Sequence, residues 1–268
     1  MDGSVDGGMF VVTKQHRRFA EFADACRHDR YIGLCYGAPG VGKTLSARQY
    51  ARWDELTSLL PRWEKHFTLG KDRPDWHTLV YTPTVHATPR VISKDLQELG
   101  CNLAAIRTHD PCDPRTYGDP YGSPPFVELL IIDEADRLKM AGLEQLRDHY
   151  DRSQLGLILI GMPGIEKRLA RYPQLYSRVG FVHHYQPLST EEQAIILTRH
   201  WPQLSLGDPD DYTTTEAITA ITRITSGNFR LISRLLAQAE RILEINELHT
   251  VTKEVIEAAR ESLVIGTQ

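Results

Sequence analysis

The sequence lacks a long apolar run. No stretch of its 268 residues approaches the ~20 apolar residues that a helix needs to cross a bilayer. Residues 1–8 are acidic and rich in glycine, unlike a signal or transit peptide, so we expect residues 1–12 to form a flexible tail. These features predict a protein that has no membrane partner and is located in the cytoplasm.

Cysteine is scarce and its spacing is uninformative. The four cysteines form no C-x-x-C pair and show no zinc-ligand spacing: Cys26, Cys35, Cys101 and Cys112. This argues against a disulfide framework and a structural zinc site. We expect reduced thiols in a cytosolic protein, with Cys35 as a small core residue.

An excess of basic residues is also missing. The formal net charge is −4, which excludes a globally basic nucleic-acid binder but leaves room for a local basic stripe. With 41% hydrophobic and 25% charged residues, the composition is ordinary for a globular protein. No internal repeat is visible, and the length suits one large domain or two small ones.

The most informative stretch is a glycine-rich loop that follows the apolar run 31–36 and precedes a segment with helical character, 45–53. It matches the pattern G-x-x-x-x-G-K-[ST] with the residues Gly37, Ala38, Pro39, Gly40, Val41, Gly42, Lys43 and Thr44. Glycine allows a tight turn and brings backbone N–H groups close to phosphate oxygens. The N-terminus of the following helix adds partial positive charge there. The strand–loop–helix context argues against a chance match.

This loop predicts a site for ATP and Mg²⁺. Lys43 can reach the β- and γ-phosphates, and the Thr44 hydroxyl can ligate the cation. We also assign Leu45, which follows the loop, and Val11 to the nucleotide site. Val11 lies in an apolar segment, 10–12, that can contact the base, although packing in the core explains it equally well.

A second signal is the pair Asp133-Glu134 at the end of the apolar run 126–132. A carboxylate at the end of a buried strand can hold Mg²⁺ through water opposite Thr44, and Glu134 can orient or deprotonate the attacking water. An isolated Asp-Glu pair is usually a solvated strand end. About 90 residues after a phosphate loop, it is typical of a Walker B element and predicts hydrolysis as well as binding.

Strand and helix patterns alternate before residue 187, and only helices follow it. The strand-like runs are 31–36, 77–82, 126–134, 156–161 and 179–183, and the last three are typical of strands buried on both faces. The helical stretches are 13–30, with Thr13 as cap, 91–99 ending at Gly100, 190–201, 214–224, 229–244 and 252–263. The segments 52–76, with three tryptophans, and 110–125, rich in proline, have no clear period. We predict an α/β fold with a parallel sheet over 13–186 and a small all-helical domain over 187–268.

Two arginines complete the pattern. Arg178 precedes the last strand, and Arg230 lies in Ser-Gly-Asn-Phe-Arg at the start of a C-terminal helix. With these motifs the chain resembles the AAA+ ATPase superfamily over nearly its whole length. The resemblance implies that Arg178 is the finger that reaches the γ-phosphate of a neighbouring subunit, in preference to Arg171. It implies that Arg230 is the sensor 2 residue acting within its own subunit. A guanidinium stabilises charge on the transferred phosphoryl group.

One position departs from the superfamily pattern. The strand 156–161 is followed by Met162, where a polar sensor 1 residue is usual, and methionine cannot polarise a water. Either sensor 1 is absent or a neighbouring backbone group replaces it. We therefore expect slow turnover.

Within the superfamily the chain resembles the transposition regulators of the TnsC, TniB and MuB type, through the stretches 129–138, 160–164 and 226–230. The resemblance implies a bacterial, DNA-associated ATPase that assembles on duplex DNA without sequence preference, as a hexameric ring or helical filament. It implies a DDE transposase and a target-site adaptor as partners. The residues that would contact DNA are Thr88, Arg90, Lys94 and Arg107, with Thr108 and His109 beside the last. A solvated helix face explains Arg90 and Lys94 equally well.

Two other functions stay open. One is a signalling switch whose oligomerisation follows the nucleotide, and the other is a helicase or clamp loader that acts on another protein ring. Co-sedimentation with DNA separates transposition regulation from the first, and dependence on a partner ring identifies the second. The pair His183-His184 does not predict a metal site, because adjacent strand residues point to opposite faces.

Overall fold

The structure is a computed structural model, and it describes most of the chain. The described residues are 10–59, 76–108, 127–204, 206 and 211–263, without the side chains of 105, 107 and 108. Predictions that concern Trp63, His109 or the segment 110–125 lie outside these residues. The described chain divides into two compact units. One contains Arg18–Gly37 and Lys43–Tyr185, and the other contains residues 10–17, Ala38–Gly42 and residues 186–263.

The first unit is built on a parallel sheet of five strands. The strands are β1 Ile32–Tyr36, β2 Thr78–Tyr81, β3 Leu129–Ile132, β4 Gly156–Gly161 and β5 Val179–His184. Their order is β2-β3-β4-β1-β5, so the chain crosses over after every strand. Parallel strands require such crossovers, and helices fill them. The predicted α/β fold with a parallel sheet is confirmed.

The central strands are buried on both faces, as their apolar runs predict. Every residue of β3 and β4 is buried, and Cys35 in β1 is fully buried. Burial raises the pKa of the Cys35 thiol to about 12, so it is a neutral core residue. The same prediction was wrong for β5. This strand lies at the edge of the sheet, and its residues alternate between half-buried and exposed.

Helix α1 Lys14–Asp29 precedes β1, and its first turn belongs to the other unit. The strands are connected by α2 Lys43–Tyr50, α3 Trp53–Leu59, α4 Pro89–Thr108, α5 Met140–Arg152, α6 Ile165–Leu169 and α7 Pro173–Tyr176, with a 3₁₀ turn at Ala135–Arg137. The Thr13 hydroxyl accepts a hydrogen bond from the backbone N–H of His16 at 3.0 Å, which confirms the predicted cap of α1.

The predicted end of α4 at Gly100 was wrong, because the helix continues to Thr108. Gly100 lies on the buried side of the helix, where Leu96 and Leu103 also point into the core. A glycine inside a helix costs about 1 kcal/mol, and burial of two leucines offsets more than that. Arg107 therefore lies in the last helical turn and not in a loop.

Helices are the regular elements found among the described residues of the second unit, and no strand occurs there. Its helices are α8 Thr190–His200, α9 Tyr212–Thr225, α10 Phe229–Ile245 and α11 Lys253–Glu261, with a 3₁₀ turn at Pro202–Leu204. α8 begins with the predicted capping box. The Ser189 hydroxyl accepts from the Glu192 backbone N–H at 3.2 Å, and the Glu192 carboxylate accepts from the Ser189 backbone N–H at 3.1 Å.

The apolar sides of these helices meet in a core of their own, which contains Leu197, Ile221, Leu235 and Ile256. None of the helices in the described part of the chain is long and apolar enough to span a bilayer.

Candidate nucleotide site

The phosphate loop joins β1 to α2, as the sequence predicts. At its end, the buried Lys43 donates from Nζ to the carbonyl oxygen of Gly37 at 2.6 Å. A Cβ on Gly37 would lie 2.3 Å from the backbone oxygen of Tyr185, so no larger residue fits there. The Ser46 hydroxyl, in the first turn of α2, shares a hydrogen bond of 2.7 Å with the Tyr185 hydroxyl. The end of β5 therefore supports both ends of the loop.

The middle of the loop, Ala38–Gly42, packs within the helical unit. The Asn228 side chain donates from Nδ2 to the carbonyl oxygen of Pro39 at 2.8 Å. The backbone N–H of Arg230 donates to the carbonyl oxygen of Gly40 at 3.1 Å. Gly40 has φ of 81°, and a Cβ there would lie 2.5 Å from Asn228 Oδ1. Conformation and space both require glycine at this position.

Asn228 was not predicted as a site residue. It is the N-cap of α10 and also accepts a hydrogen bond from the Leu231 backbone N–H at 3.3 Å. Gly227-Asn228 before an amphipathic helix is a cap signal that the sequence does contain. What the sequence hides is the second role of the side chain, as a donor to the phosphate loop.

The structure brings Thr44 and Asp133 together. The Thr44 hydroxyl donates to Asp133 Oδ2 at 2.7 Å, although the two residues lie 89 positions apart in the chain. Asp133 is buried, and its backbone N–H donates to the carbonyl oxygen of Tyr81 at 2.8 Å. A hydroxyl and a carboxylate are the oxygen ligands that Mg²⁺ favours, so these residues fit the cation.

Glu134 has a left-handed backbone conformation, with φ of 51° and ψ of 42°. Such a conformation is uncommon for a residue other than glycine and costs of order 1–3 kcal/mol. Its backbone N–H donates to Asp133 Oδ1 at 2.9 Å, which supports the turn. The Glu134 carboxylate is partly exposed and forms an ion pair with Arg137.

The two predicted arginines differ in their surroundings. Arg178 holds both carboxylate oxygens of Asp151, from Nε at 2.6 Å and Nη2 at 2.9 Å, and it also donates to the carbonyl oxygen of Gln174. Arg230 is exposed and forms no ion pair with any described residue. The competing Arg171 is also exposed. Arg230 therefore has a guanidinium available to a ligand, whereas Arg178 is engaged within its own chain.

Residues 162–164, which follow β4 where a sensor 1 residue is usual, have no polar side chain of their own. Met162 is partly exposed, and its backbone N–H donates to Asp136 Oδ1 at 2.8 Å. Pro163 has no backbone N–H, so the next N–H along the chain is that of Gly164. It donates to Glu166 Oε2 at 2.8 Å. The neighbouring backbone groups are thus already used within the protein.

The other residues that the sequence singled out, Val11, Leu45, His183 and His184, differ in their surroundings. Val11 packs against the core of the helical unit, which favours the packing interpretation, and Leu45 is exposed in the first turn of α2. His183 and His184 point to opposite faces of β5, as expected. His183 stacks on Phe22, and burial lowers its pKa, while His184 stacks on Tyr36.

The residues predicted to contact DNA are exposed where they are described. Thr88, Arg90 and Lys94 lie at the N-terminus of α4. The side chain of Arg107 is not among those described. α5 approaches α4 closely, since a Cβ on Gly142 would lie 3.1 Å from Ile92 Cδ1.

This approach reveals two further exposed residues that the sequence did not single out. Lys139 and Met140, at the start of α5, are exposed, and α5 contacts α4, the helix that carries Arg90 and Lys94. We name the four residues Arg90, Lys94, Lys139 and Met140 together the basic edge. No local pattern joins its two halves, because the helix contact depends on the sheet order.

Comparisons with known proteins agree with this geometry. A family model described as "AAA domain" matches residues 26–169, which is more than half of the chain. A "Potential ATP-binding protein" from Staphylococcus aureus is 45% identical over 267 residues, covering 96% of this chain and 97% of that protein. The similarity therefore extends over the phosphate loop, the Walker B pair and the helical unit.

Two transposition proteins are more distant relatives. The Mu-like prophage FluMu DNA transposition protein B of Haemophilus influenzae is 24% identical and covers 65% of this chain and 55% of its own length. The ATP-dependent target DNA activator B of Escherichia phage Mu is 27% identical, and the similarity covers 60% of this chain and 45% of that protein. The chain thus spans about half the length of these two proteins.

Solved structures share the fold. The Thermotoga maritima RuvB Holliday junction branch migration motor has a TM-score of 0.58 at 18% identity, covering 95% of this chain and 70% of that one. The Aeropyrum pernix ORC1 protein in complex with DNA has a TM-score of 0.57 at 21% identity, covering 94% and 65%. At such identities the likeness concerns the fold alone.

The contact between Asn228 and Pro39 generates a test. Asn228→Ser keeps an oxygen that caps α10 but is too short to reach the loop, whereas Asn228→Ala loses both functions. We expect both variants to bind an ATP analogue more weakly, and only Asn228→Ala to lose about 1 kcal/mol of unfolding free energy. Titration calorimetry and urea denaturation measure the two effects. If Asn228→Ser binds the ATP analogue with wild-type affinity, the hydrogen bond from Asn228 to Pro39 does not determine the conformation of the loop.

Proposed function

The chain belongs to the AAA domain family and is an AAA+ ATPase, and on this basis we propose that it is a regulator of DNA transposition. In this proposal it binds ATP and Mg²⁺, assembles on duplex DNA as a ring or filament, and marks the DNA as a target for a DDE transposase. The similarity to two transposition proteins of the Mu type carries the proposal.

The hydrolytic step rests on the Thr44–Asp133 contact. These two residues would hold Mg²⁺, which when bound supplies positive charge to the phosphate oxygens. Lys43 would release Gly37 and donate to the phosphates. Glu134 would accept the proton of the attacking water, and Arg230 would stabilise charge on the transferred group. Since neither Met162 nor its backbone N–H can orient that water, we propose slow turnover.

Arg178 would act on the nucleotide of a neighbouring subunit. To do so it must exchange its two bonds to Asp151 for the γ-phosphate of that neighbour. Both side chains are about one-third exposed, so the pair lies where a second subunit can reach it. Assembly would then be a condition for hydrolysis, because a single chain keeps this arginine in its own ion pair.

Duplex DNA would lie against the basic edge. Its exposed lysines and arginine offer contacts to phosphates, and such contacts carry no sequence information, which suits binding without sequence preference. A few such contacts per subunit give weak affinity, and assembly multiplies it along the duplex. The net charge of −4 agrees with an interface restricted to one edge.

Removal of the predicted base tests the catalytic assignment. We expect Glu134→Gln to bind ATP normally and to hydrolyse it about a hundredfold more slowly or worse, because the amide cannot accept a proton. Lys43→Ala serves as the contrasting variant, which should not bind nucleotide at all. Steady-state phosphate release and nucleotide titration distinguish the two. Normal hydrolysis by Glu134→Gln would contradict the assignment.

Assembly is tested by negative-stain electron microscopy of the purified protein with a non-hydrolysable ATP analogue, with and without duplex DNA. We expect rings or filaments on DNA only when both are present, and Glu134→Gln should form them with ATP itself. Closed rings that form with nucleotide alone and do not change when duplex DNA is added would contradict the proposal. That result would favour an AAA+ function on protein partners.

The basic edge is tested by charge removal. The double variant Arg90→Ala, Lys94→Ala should weaken DNA binding uniformly across sequences. It should also reduce the slope of log K against log salt by about 0.9 for each phosphate that the variant no longer neutralises. The double variant Arg241→Ala, Lys253→Ala removes the same charge from exposed positions of the helical unit. If both variants lower the affinity equally, the edge is not the DNA site. Fluorescence anisotropy over a salt series gives both quantities.

A further inference from the structure

Helix α10 has one side in the core of the helical unit and one side in contact with solvent. The buried side carries Ile232, Leu235, Leu236 and Ala239. Four exposed residues follow one another on the other side at spacings of three, four and three, which places them on one face of the helix: Arg234, Ala237, Arg241 and Glu244. Together with the exposed residues Ile245, Glu247 and Leu248 at the end of the helix, we call them the outer face of α10.

The charged residues of the outer face form no ion pair within the described part of the chain. Arg241 and Glu244 are three positions apart, and they stay separate although Arg52 and Glu55 form an ion pair at the same spacing. Arg234 donates to no carboxylate of the described residues either. Arginines on other helices of the same unit do pair, since Arg223 and Arg260 both bind Glu257. The outer face therefore keeps charges of both signs available to a partner.

The C-terminal end of the outer face is apolar and well ordered. Ile245 is 81% exposed and Leu248 is 46% exposed. The turn after the helix is closed by a hydrogen bond from the Leu248 backbone N–H to the carbonyl oxygen of Leu243 at 2.9 Å. Glu247 has φ of 53° in this turn, at a position where glycine is usual. The turn thus holds two large apolar side chains in contact with water, and a partner that covers them would remove that apolar area from water.

The order of charges along the outer face makes it complementary to a second copy of itself. The positive residues, Arg234 and Arg241, come first along the chain, and the negative residues, Glu244 and Glu247, come last. If two copies of the helix lie antiparallel, the positive half of each faces the negative half of the other. In a parallel pair, each charge would instead face its own like charge, which is unfavourable.

One antiparallel register matches the apolar residues as well as the charges. When Arg241 of one copy lies opposite Glu244 of the other, Ala237 is four positions before the first and Leu248 is four positions after the second. Leu248 of one copy therefore faces Ala237 of the other, and alanine is small enough to leave room for it. By the same count Arg234 lies close to Glu247 of the second copy.

We propose that the outer face of α10 is a self-association surface, on which two copies of the chain pair through an antiparallel, two-fold symmetric contact of their α10 helices. Each favourable pair then occurs twice, because the same surface is used on both copies. The contact is small, so the pair is weak and depends on concentration. It closes after two copies and is distinct from the repeated contact that a ring or filament needs. It uses no residue assigned to nucleotide or DNA, so it does not rest on the proposed function.

Charge reversal tests the pairing in the full-length protein without nucleotide or DNA. We expect sedimentation velocity over a concentration series to show a monomer–dimer equilibrium for the wild type. Arg241→Glu and Glu244→Arg should each raise the Kd of the dimer by roughly tenfold or more, since each turns two attractions into two repulsions. The double variant Arg241→Glu, Glu244→Arg should recover the wild-type Kd, because the charges are exchanged on both copies. Lys253→Glu, at the exposed start of α11, is the matched control and should leave the Kd unchanged.

Cysteine cross-linking tests the antiparallel register. Positions 237 and 248 lie about 16 Å apart along one helix, beyond the ~7 Å that a disulfide can bridge, so a link between them has to join two copies. The double variant Ala237→Cys, Leu248→Cys should form a disulfide-linked dimer under mild oxidation. Each single variant should form no more dimer than the wild type, which contains four cysteines of its own. Gel electrophoresis without reductant measures the product.

The outcomes separate this contact from other kinds of association. The proposal is overturned if the wild type is a monomer at every concentration, or if charge reversal leaves the dimer unchanged. It is also overturned if either single cysteine variant forms the linked dimer, because that would indicate a parallel pair. If a charge variant does not fold, the cross-linking result decides. On a duplex short enough for a single copy, Arg241→Ala cannot act through pairing, so it remains a valid control for the basic edge.

Discussion

The hydrogen bond between the Thr44 hydroxyl and the Asp133 carboxylate sets the geometry on which the rest of the site depends. It joins the helix after β1 to the end of β3, and these strands are not neighbours, because β4 lies between them. Two parallel strands separated by a third end at the same edge of the sheet. The crossover order thus brings two distant motifs into hydrogen-bond contact, and we propose that they hold one cation.

Both nucleotide motifs contain a strained or tightly held backbone position. Gly40, in the phosphate loop, has a positive φ and leaves no room for a Cβ beside Asn228, and Glu134, in the Walker B pair, has a left-handed backbone although it is not glycine. Each is maintained by hydrogen bonds. A cost of order 1–3 kcal/mol at such a residue is tolerated where the surrounding structure determines the conformation, and such positions concentrate at functional sites.

The short turn after Glu134 forms hydrogen bonds with several elements near the site. The Asp136 carboxylate accepts a hydrogen bond from the backbone N–H of Met162, and Arg168 donates to the carbonyl oxygens of Asp136 and Leu138. Arg137 forms an ion pair with Glu134 and donates to the carbonyl oxygen of Pro83. Met162 has no polar side chain, and the backbone N–H groups of Met162 and Gly164 already donate to carboxylates of this protein. In the proposed mechanism, control of the attacking water therefore falls to Glu134 and to the groups that orient its carboxylate.

Local patterns were sufficient for the parts of this protein that depend on neighbours in the chain. The phosphate loop, the buried runs of β3 and β4, the caps at Thr13 and Ser189 and the helical C-terminal unit all follow from residue type and spacing. The extension of α4 beyond Gly100 did not, because burial of the helix outweighed a local stop signal.

The sequence by itself determined that this chain binds ATP on an α/β sheet, because the phosphate loop is a contiguous motif whose chemistry is local. It also predicted the groups that hydrolyse ATP. Only the tertiary structure decided that β5 is an edge strand, that Asn228 reaches the phosphate loop, and that Arg178 pairs with Asp151. It alone decided that Arg137 joins Glu134 to Pro83. These contacts depend on strand order and on crossovers between distant segments, and no periodicity within one segment records which other segment will lie beside it.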